Sequence, residues 1–523
     1  MTDEKNGAAD PRRWLALTVI LFAGFMDLLD LTIVNVTIPS ILHDLHASYG
    51  QIEWIVAGYS LGFAAVLIVA GRLGDIFGRK LVFLAGVAGF TVASALCGAA
   101  VNPAMLIGTR FLQGAMAGTM IPQILSIIHG SFPASERSKA YGLFGAIVGC
   151  ASAAGMVVGG LLVQGDLLGL KWRPVFLVNV PLGIAVAVAG YLVIREAKPA
   201  TAPRLDPVGA VLALAATLML VYPLTEGRSL GWPAWTFALL GGAVVALVVL
   251  VGYERWRAGT IGSPLVVLRL FRARTFSSGL VLLAIFAISF SGFFFTWTLY
   301  LQVGLGWAPA HAGLTGVSFA LAAMIGSGMS AAVLTPRFGR RVLMAGALAN
   351  AAGFAGYSVL ASHYGTSISS WQMVAPLVLA GGGFGLVIAP IIDLILTDVP
   401  VRDAGSASGL LSAIQEVGMA LGVALAGTVF FGYLGGTGQA ATQLGALATG
   451  AAGPGAVAHD FIRAFSLSLW YPVGILAIFF AGLFALPRRA RVRDLDAELE
   501  AAETGADGPE AFDRAQSAVE PLA

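Results

Sequence analysis

The sequence predicts an all-α, polytopic membrane protein of 14 spanning helices, and three observations carry that prediction. Of 523 residues, 58% are hydrophobic and only 11% are charged, against about 25% charged in average globular usage. The mean hydropathy is +0.85, so a soluble fold would lack the polar groups to cover its surface. The apolar residues also fall into long continuous runs, and a helix needs about 20 of them to cross a hydrocarbon core about 30 Å thick. Composition therefore excludes a soluble enzyme, a disordered chain and a coiled coil. Thirty Lys and Arg against 28 Asp and Glu leave a net charge of +2, so no basic field argues for nucleic acid.

The runs lie near 14–38, 51–70, 81–101, 104–129, 140–163, 173–194, 207–224, 235–253, 276–301, 311–335, 341–361, 372–397, 405–433 and 464–486. They are continuous rather than alternating, which excludes a β-barrel. The first run is too long for a signal peptide, carries Asp27 and Asp30, and lacks a small-residue cleavage pattern. The second and third flank a basic loop, Arg72 to Lys80, and the fourth contains Arg110. The fifth is rich in glycine (Gly145, Gly149, Gly155, Gly159), in spacings that let helices approach closely. The sixth follows Trp172 and Arg173, and the seventh and eighth are almost wholly apolar. The ninth carries Phe290, Phe293, Phe294, Phe295, Trp297 and Tyr300, which could line an apolar cavity or face lipid. The tenth and eleventh flank a second basic loop, and the twelfth and thirteenth hold Asp393 and Glu416. The fourteenth ends in the basic cluster Arg488, Arg489, Arg491 and Arg493.

Lys/Arg bias sets the orientation. With the N-terminus inside, the outer segments hold only Lys171, Arg173, Arg228 and Arg463, and Arg110 sits within a span. An even span count with both termini cytoplasmic satisfies this bias. Gly435 to Asp460, rich in Gly, Ala, Thr and Gln, reads as a flexible outer loop. The tail after Pro487 turns from basic to acidic and reads as a short helix followed by disorder.

Leu73-Gly-Asp-Ile-Phe-Gly-Arg-Lys80 recurs without a gap as Leu334-Thr-Pro-Arg-Phe-Gly-Arg-Arg341. Both copies fall on the inner side, as expected of a parallel repeat of six-helix halves, a known transporter architecture. The copies follow spans two and ten, so two additional spans lie between the halves. The expected division is a cytoplasmic N-terminus (1–13), a six-helix bundle (14–194), a linker with two additional helices (195–257), a second six-helix bundle (258–486) and a cytoplasmic tail (487–523).

Four motifs resemble those of a known family. Gly71-Arg-Leu-Gly74-Asp75-Ile-Phe-Gly78-Arg79-Lys80 looks like the signature loop of the major facilitator superfamily. Asp30-Leu-Thr-Ile-Val-Asn35-Val-Thr-Ile-Pro39 resembles the first-span motif of its 14-span drug:proton antiporter branch. Arg110-Phe-Leu-Gln113-Gly114 is similar to the fourth-span motif, and Trp172-Arg173-Pro-Val-Phe176-Leu-Val-Asn179-Val-Pro181-Leu-Gly183 to the sixth-span motif of the branch. The second half matches by span count, by the second loop copy and by Gly405-Ser-Ala-Ser-Gly409. One departure stands out. The branch's fifth-span antiporter motif usually reads Gly-Pro before a closing Gly-Gly, whereas this chain has Gly155-Met156-Val-Val-Gly159-Gly160. The glycines keep their close packing, but the bend that proline gives is not implied here.

A charge inside lipid costs about 2.5–3.5 kcal/mol on insertion scales, so intramembrane charges are functional candidates. Asp27 and Asp30 are three residues apart and share a helix face. Desolvation and a neighbouring like charge both favour the protonated form of a carboxylic acid, so such a pair could carry a proton or hold a cationic substrate. Arg110 stays charged and must find a carboxylate; Asp30 is the expected partner, either as a proton relay or as a fixed ion pair. Gln113 lies one turn further on and could extend the polar face. Glu416 and Asp393 are expected as secondary proton or cation sites. Asp75, between Arg72 and Arg79, could make charge-assisted hydrogen bonds at a helix end, and Gly74 and Gly78 allow a tight turn. That set is expected to latch a cytoplasmic gate. His43, His46, His311 and His363 are expected at solvated edges.

Gly58-Tyr-Ser60-Leu-Gly62 matches the hydrolase elbow, but it lies within a spanning run with no strand before it. Asn35-Val-Thr37 fits a glycosylation triplet yet falls in the bilayer. No lysine follows a glycine, so there is no phosphate-binding loop, and an ion gradient becomes the default drive. Cys97 and Cys150 lie in apolar runs and suggest neither a disulfide frame nor a metal site. No cofactor, metal, catalytic residue or nucleic-acid partner is expected. The sequence and the resemblance together imply proton-driven export of an amphipathic drug by alternating access, from a monomer in the plasma membrane of a GC-rich bacterium. The alternative on the same scaffold is export or import of a metabolite, amino acid or peptide. A non-cycling sensor would need a large soluble domain, and an intramembrane enzyme would need a clustered His/Asp/Glu or Ser/His set; neither is present.

Overall fold

The computed structural model describes residues 12–165, 169–196, 204–227, 230–260, 264–434 and 454–486. Among these residues every regular element is a helix. In a bilayer, helices satisfy their own backbone N–H and C=O groups, which is why continuous apolar runs fold this way. The helices are α1 Arg13–Leu45, α2 Tyr49–Phe77, α3 Arg79–Gly98, α4 Pro103–Ser131, α5 Ala134–Gln164, α6 Asn179–Val193, α7 Pro207–Glu226 and α8 Ala234–Thr260, then α9 Arg274–Leu299, α10 Pro309–Met329, α11 Arg340–Tyr364, α12 Ser370–Leu396, α13 Ala404–Tyr433 and α14 Pro454–Ser468, which continues as Trp470–Gly482. Thirteen of these are long and apolar enough to cross a membrane over their described residues. The 31-residue α5 occupies the remaining predicted position.

Polar residues start several helices where the sequence demands it. Ser48 and Gln51 form a capping box on α2, Ser369 and Gln372 on α12, and Asn102 caps α4 just before Pro103. A one-turn helix, Pro174–Leu177, precedes α6 and breaks the sixth predicted span. Two π turns, Tyr300–Gly304 and Ser330–Leu334, extend α9 and α10. The helices also outrun the apolar runs: α1 continues to Leu45, α5 begins at Ala134, and α14 begins at Pro454. Part of the expected outer loop, Pro454 to Asp460, is therefore helical, because hydropathy marks the hydrocarbon crossing and not the end of the hydrogen-bonded ladder. The rest of that loop, the N-terminal 11 residues and the tail after Leu486 lie outside the described residues.

α1–α6 pack among themselves, as do α9–α14, and α7 pairs with α8. Two seams join the six-helix groups: α5 lies against α10 and α12, while α2 and α4 lie against α13. α7 covers the second seam, touching both α2 and α13. Leu218, Val221 and Tyr222 pack there against Leu61 and Ala64 on one side and Val417 and Ala420 on the other. The two basic loops turn alike. Gly78 has φ +102° and Gly339 has φ +54°, at the aligned position of each copy, where a side chain would be strained.

Candidate functional site

Asp30 of α1 is wholly buried, and two helices, α4 and α6, supply its partners. Arg110 Nη1 of α4 donates to Oδ2; Gln113 Nε2, one turn along α4, donates to Oδ1 at 2.9 Å, and Asn179 Nδ2 of α6 to Oδ1 at 2.7 Å. Arg110 Nη1 also reaches Gln113 Oε1 at 2.8 Å, and its Nε reaches the Ile55 carbonyl at 3.3 Å. Gln113 is anchored in turn by Ser94 Oγ at 2.7 Å, and the Cys97 thiol donates to its Oε1 at 3.4 Å. The charge thus sits in low dielectric with its hydrogen bonds largely satisfied, the condition under which a buried pair survives. Two atoms remain without a hydrogen-bond partner: Arg110 Nη2 and Asn179 Oδ1.

Asp27, one turn earlier, is buried and accepts the hydroxyl of Tyr59 on α2. The Tyr59 ring lies beneath the Arg110 guanidinium, 4.3 Å from centroid to Cζ, so Tyr59 touches both Asp27 and the partner of Asp30. Glu416 of α13, from the other six-helix group, is half-buried and lies near enough to Asp27 for their charges to interact. The structure therefore brings together Asp27, Asp30, Arg110, Gln113 and Glu416. Tyr59, Ser94, Cys97 and Asn179 belong with them and were not singled out from the sequence. Asn179 was visible as a polar residue in an apolar span. Tyr59 lay inside the dismissed Gly58–Gly62 motif, which is helical in α2.

Asp75 closes the second seam at the end that carries the basic loops. Its side chain is fully buried and accepts the first-turn N–H groups of α13, Gly405 N at 3.0 Å on Oδ1 and Ser406 N at 3.0 Å on Oδ2. A helix N-terminus has such donors free and favours an anion. Arg79 and Arg72 stand 3.7 and 3.9 Å from the same carboxylate. Arg79 crosses the seam to the Val401 carbonyl and also holds Ser126 O at 3.1 Å. His129 Nε2 meets Val399 O at 2.8 Å across the same seam. Gly71 and Gly405 permit this approach, since a Cβ on either would overlap the other's carbonyl. Gly74 likewise makes room for Gln123 and Gly78 for Glu196. Lys80 stays on its own side, its Nζ on Tyr191 O at 2.6 Å. The second loop copy has Pro336 where the first has Asp75, and its Arg340 reaches Leu486 O at 2.9 Å within its own group.

The remaining candidates lie apart. Asp393 stands at the motif-loop end of α12, beside a small cavity shared with Thr335, Arg340 and Leu343, and its charge faces Arg137 at the start of α5. Gly155 packs against Thr32 and Leu29 of α1, whereas Gly145 faces Ser327 and Ile388 of the other group. Gly159 is buried in α5, and Gly160 lies in the same helix. Phe293, Trp297 and Tyr300 are buried in the second group, while half-buried Phe290 stacks on Phe384 and half-buried Phe294 meets Phe319 edge to face. His43, His46, His311 and His363 are exposed. At the opposite end of α1, Lys171 and Arg173 hold the Asp44 carboxyl well below the usual carboxylate range, helped by Trp172 Nε1 at 3.0 Å. Among the described residues, no three His, Cys, Asp or Glu side chains form a metal-binding group.

Residues 20–423 match the model of the Major Facilitator Superfamily. The chain is 41% identical over 435 residues to a probable actinorhodin transporter of Streptomyces coelicolor, covering 83% of this chain and 75% of that one. It is 36% identical to a tetracenomycin C resistance and export protein of Streptomyces glaucescens, over 82% of this chain and 79% of that one. A puromycin resistance protein of Streptomyces alboniger is 33% identical over 90% of both chains. The fold is similar to that of the human organic anion transporter MFSD10, with TM-score 0.61 at 14% identity, covering 91% of this chain and all of that one. It is also similar to the proton:xylose symporter XylE, with TM-score 0.60 at 13% identity, over 91% of this chain and 96% of that one. On this evidence the chain is a multi-pass membrane transporter, not an enzyme, and it belongs to the Major Facilitator Superfamily.

Proposed function

We propose that the protein exports amphipathic organic compounds in exchange for protons, by alternating access between its two six-helix groups. The observation that carries this reading is the placement of two buried acids, Asp27 and Asp30, beside one fixed cation, Arg110, with half-buried Glu416 of the other group near Asp27. Arg110 compensates Asp30. Asp27 has a neutral hydroxyl partner in Tyr59 and faces Glu416 across the groups. Two facing carboxylates repel unless a proton or an organic cation lies between them. Loading either cargo lets the two groups close at that level, so proton and substrate become alternatives. Protonation of Asp30 removes the charge that holds Arg110 and frees its fork to turn, with Nη2 already lacking a partner.

In the proposed cycle, substrate enters from the cytoplasm while the acids are deprotonated. The groups rock, substrate leaves outside, and a proton taken up by an acid resets the protein. The Asp75 contact is the cytoplasmic latch and is closed here; both termini lie in the cytoplasm, and the working unit is a monomer in the plasma membrane. Amphipathic, ring-bearing substrates suit half-buried Phe290 and Phe294, and the relatives named for actinorhodin, tetracenomycin C and puromycin support this class.

The test is a susceptibility panel in an efflux-deficient bacterial host, with tetracenomycin C and puromycin among the probes. Expression of the chain is expected to raise resistance to at least one amphipathic aromatic compound fourfold or more. Asp30→Asn, expressed to the same level, is expected to abolish it. No protection against any such compound, together with proton flux stimulated only by amino acids or peptides, overturns the drug assignment.

A further inference from the structure

The α7–α8 hairpin ends in a buried charged cluster that the transport cycle described above does not use. Only a narrow stripe of α8 is covered, formed by Thr236, Ala243, Leu250, Glu254 and Arg257, and the last two are charged. Glu254 is wholly buried. Its Oε2 accepts the backbone N–H of Leu265 at 2.9 Å, in the segment that leads from the hairpin into α9. Leu265 in turn presents its carbonyl to Ser406 Oγ at 3.1 Å. Ser406 is the residue whose N–H is held by Asp75.

These contacts form one continuous chain: Asp75 carboxylate, Ser406, the Leu265 peptide, Glu254 carboxylate. Asp75 sits on the first six-helix group, Ser406 on the second, and Glu254 on the hairpin. Arg72 lies among them, its charge interacting with Asp75, Asp403, Glu254 and Asp206. Asp206, which caps α7 through Gly209 N at 2.9 Å, pairs with Arg257 at 3.1 Å and accepts the Tyr253 hydroxyl at 3.0 Å. Asp403, just before α13, pairs with Arg269 of the same connecting segment. Leu265 and Val266 also bury their side chains against Ala213 of α7, Leu250 of α8 and their neighbours Ile68 and Leu410. The hairpin therefore lies over the seam and grips a backbone segment that itself holds the side chain of Ser406, a residue of the latch.

We propose that Glu254 is a positioning residue of the gate: by holding the Leu265 peptide it fixes Ser406 against Asp75, so that the additional hairpin biases the transporter toward the state closed at the motif-loop end. Opening that end parts Asp75 from α13, and because the hairpin also packs on Leu61 and Ala64 of α2, the same movement pulls on the strap formed by Glu254, Leu265 and Ser406. A hydrogen bond to a charged acceptor contributes about 1.5–3 kcal/mol, which is about a tenfold or greater change in a two-state equilibrium. The proposal rests on the alternating-access reading, but its readout is a distance and does not require transport.

The experiment places spin labels at Leu81 and Arg337, exposed residues at the motif-loop end of opposite groups, with Cys150→Ser as background. Distance distributions are recorded by pulsed electron resonance in lipid nanodiscs. Glu254→Ala is expected to raise the long-distance, open population about tenfold relative to the closed one. Ser406→Ala keeps the N–H to Asp75 and loses only the hydroxyl, and it is expected to shift the populations in the same direction. Glu254→Gln retains a carbonyl acceptor for Leu265 N–H and is expected to restore most of the closed state. The double variant Glu254→Ala/Ser406→Ala is expected to match the larger single effect rather than the product of the two. Unchanged distances in both Glu254→Ala and Ser406→Ala overturn the proposal, as does a shift in Glu254→Gln as large as in Glu254→Ala. If Glu254→Ala does not yield monodisperse protein, Ser406→Ala alone decides. A protein that shows these shifts and exports nothing fails the functional reading and leaves the strap standing.

Discussion

Asp75 accepts the backbone N–H of Ser406 at 3.0 Å, joining residues 331 positions apart in the sequence and lying in different six-helix groups. With Gly405 N on its other oxygen, Asp75 acts as the N-terminal cap of a helix it does not belong to. The cap is buried with Arg72 and Arg79 beside it, so the contact is strong while made, and in the proposed cycle it is lost as a unit when the groups part.

Asp75→Asn leaves one carbonyl acceptor where two oxygens each held an N–H, and it strips Arg72 and Arg79 of their shared counter-charge. Breaking one partner of a buried ion pair costs about 3–5 kcal/mol, so the closed state is expected to lose about a hundredfold in relative population. Labels at Leu81 and Arg337 measure this directly.

Gly71→Ala tests the steric half of the latch. The added methyl would overlap the Gly405 carbonyl, and backbone cannot step aside as a flexible side chain can. Export is expected to fall at least tenfold with normal expression. Gly108→Ala is the control, because nothing lies within 4 Å of a Cβ built there.

Asn179→Ala removes the 2.7 Å hydrogen bond from α6 to Asp30. A bond to a charged acceptor contributes about 1.5–3 kcal/mol. Transport driven by a pH gradient is expected to drop about tenfold, with its pH dependence displaced, because Asp30 then holds its charge with less support. Tyr59→Phe is expected to displace the same profile through Asp27. A loss of rate with an unmoved profile would assign both residues to packing alone.

Asp44 gives a pH prediction away from the membrane interior. Lys171 and Arg173 keep its folded-state carboxyl below the unfolded value of about 3.9. A depressed acid contributes stability above its unfolded pKa and loses that contribution as pH falls through the folded one. Thermal unfolding of the detergent-solubilised protein is therefore expected to weaken below about pH 4, and Asp44→Asn is expected to flatten that acid limb while lowering stability at neutral pH.

The spanning helices were legible because hydropathy reports the hydrocarbon crossing directly. The Asp30–Arg110 pair was legible because an arginine in lipid must find a carboxylate. The aligned glycines Gly78 and Gly339 were legible as a repeat, and both adopt positive φ. What the sequence hid was what depends on helix rotation. Asn179 was legible only as a position in the sixth-span motif, Cys97 only as a cysteine in an apolar run and Ser94 not at all, because it is the rotation of α3 and α6 that turns them toward Gln113 and Asp30. Glu254 lies just past the eighth run beside Arg255 and Arg257, where nothing in the sequence sets it apart. Only the packing of α8 shows that it faces inward while Arg255 and Trp256 face outward. Asp393 and Glu416 were both expected as secondary proton or cation sites, yet Asp393 faces Arg137 at the motif-loop end rather than Asp27.

In the proposed cycle Asp30 exchanges its proton during substrate export. The most direct measurement is proton flux in proteoliposomes containing a pH-sensitive dye, after addition of a compound to which the chain confers resistance. A substrate-evoked flux opposite in direction to substrate movement is expected, abolished in Asp30→Asn protein that still binds the compound. Undiminished coupled flux in Asp30→Asn, or substrate transport with no proton movement, would contradict it.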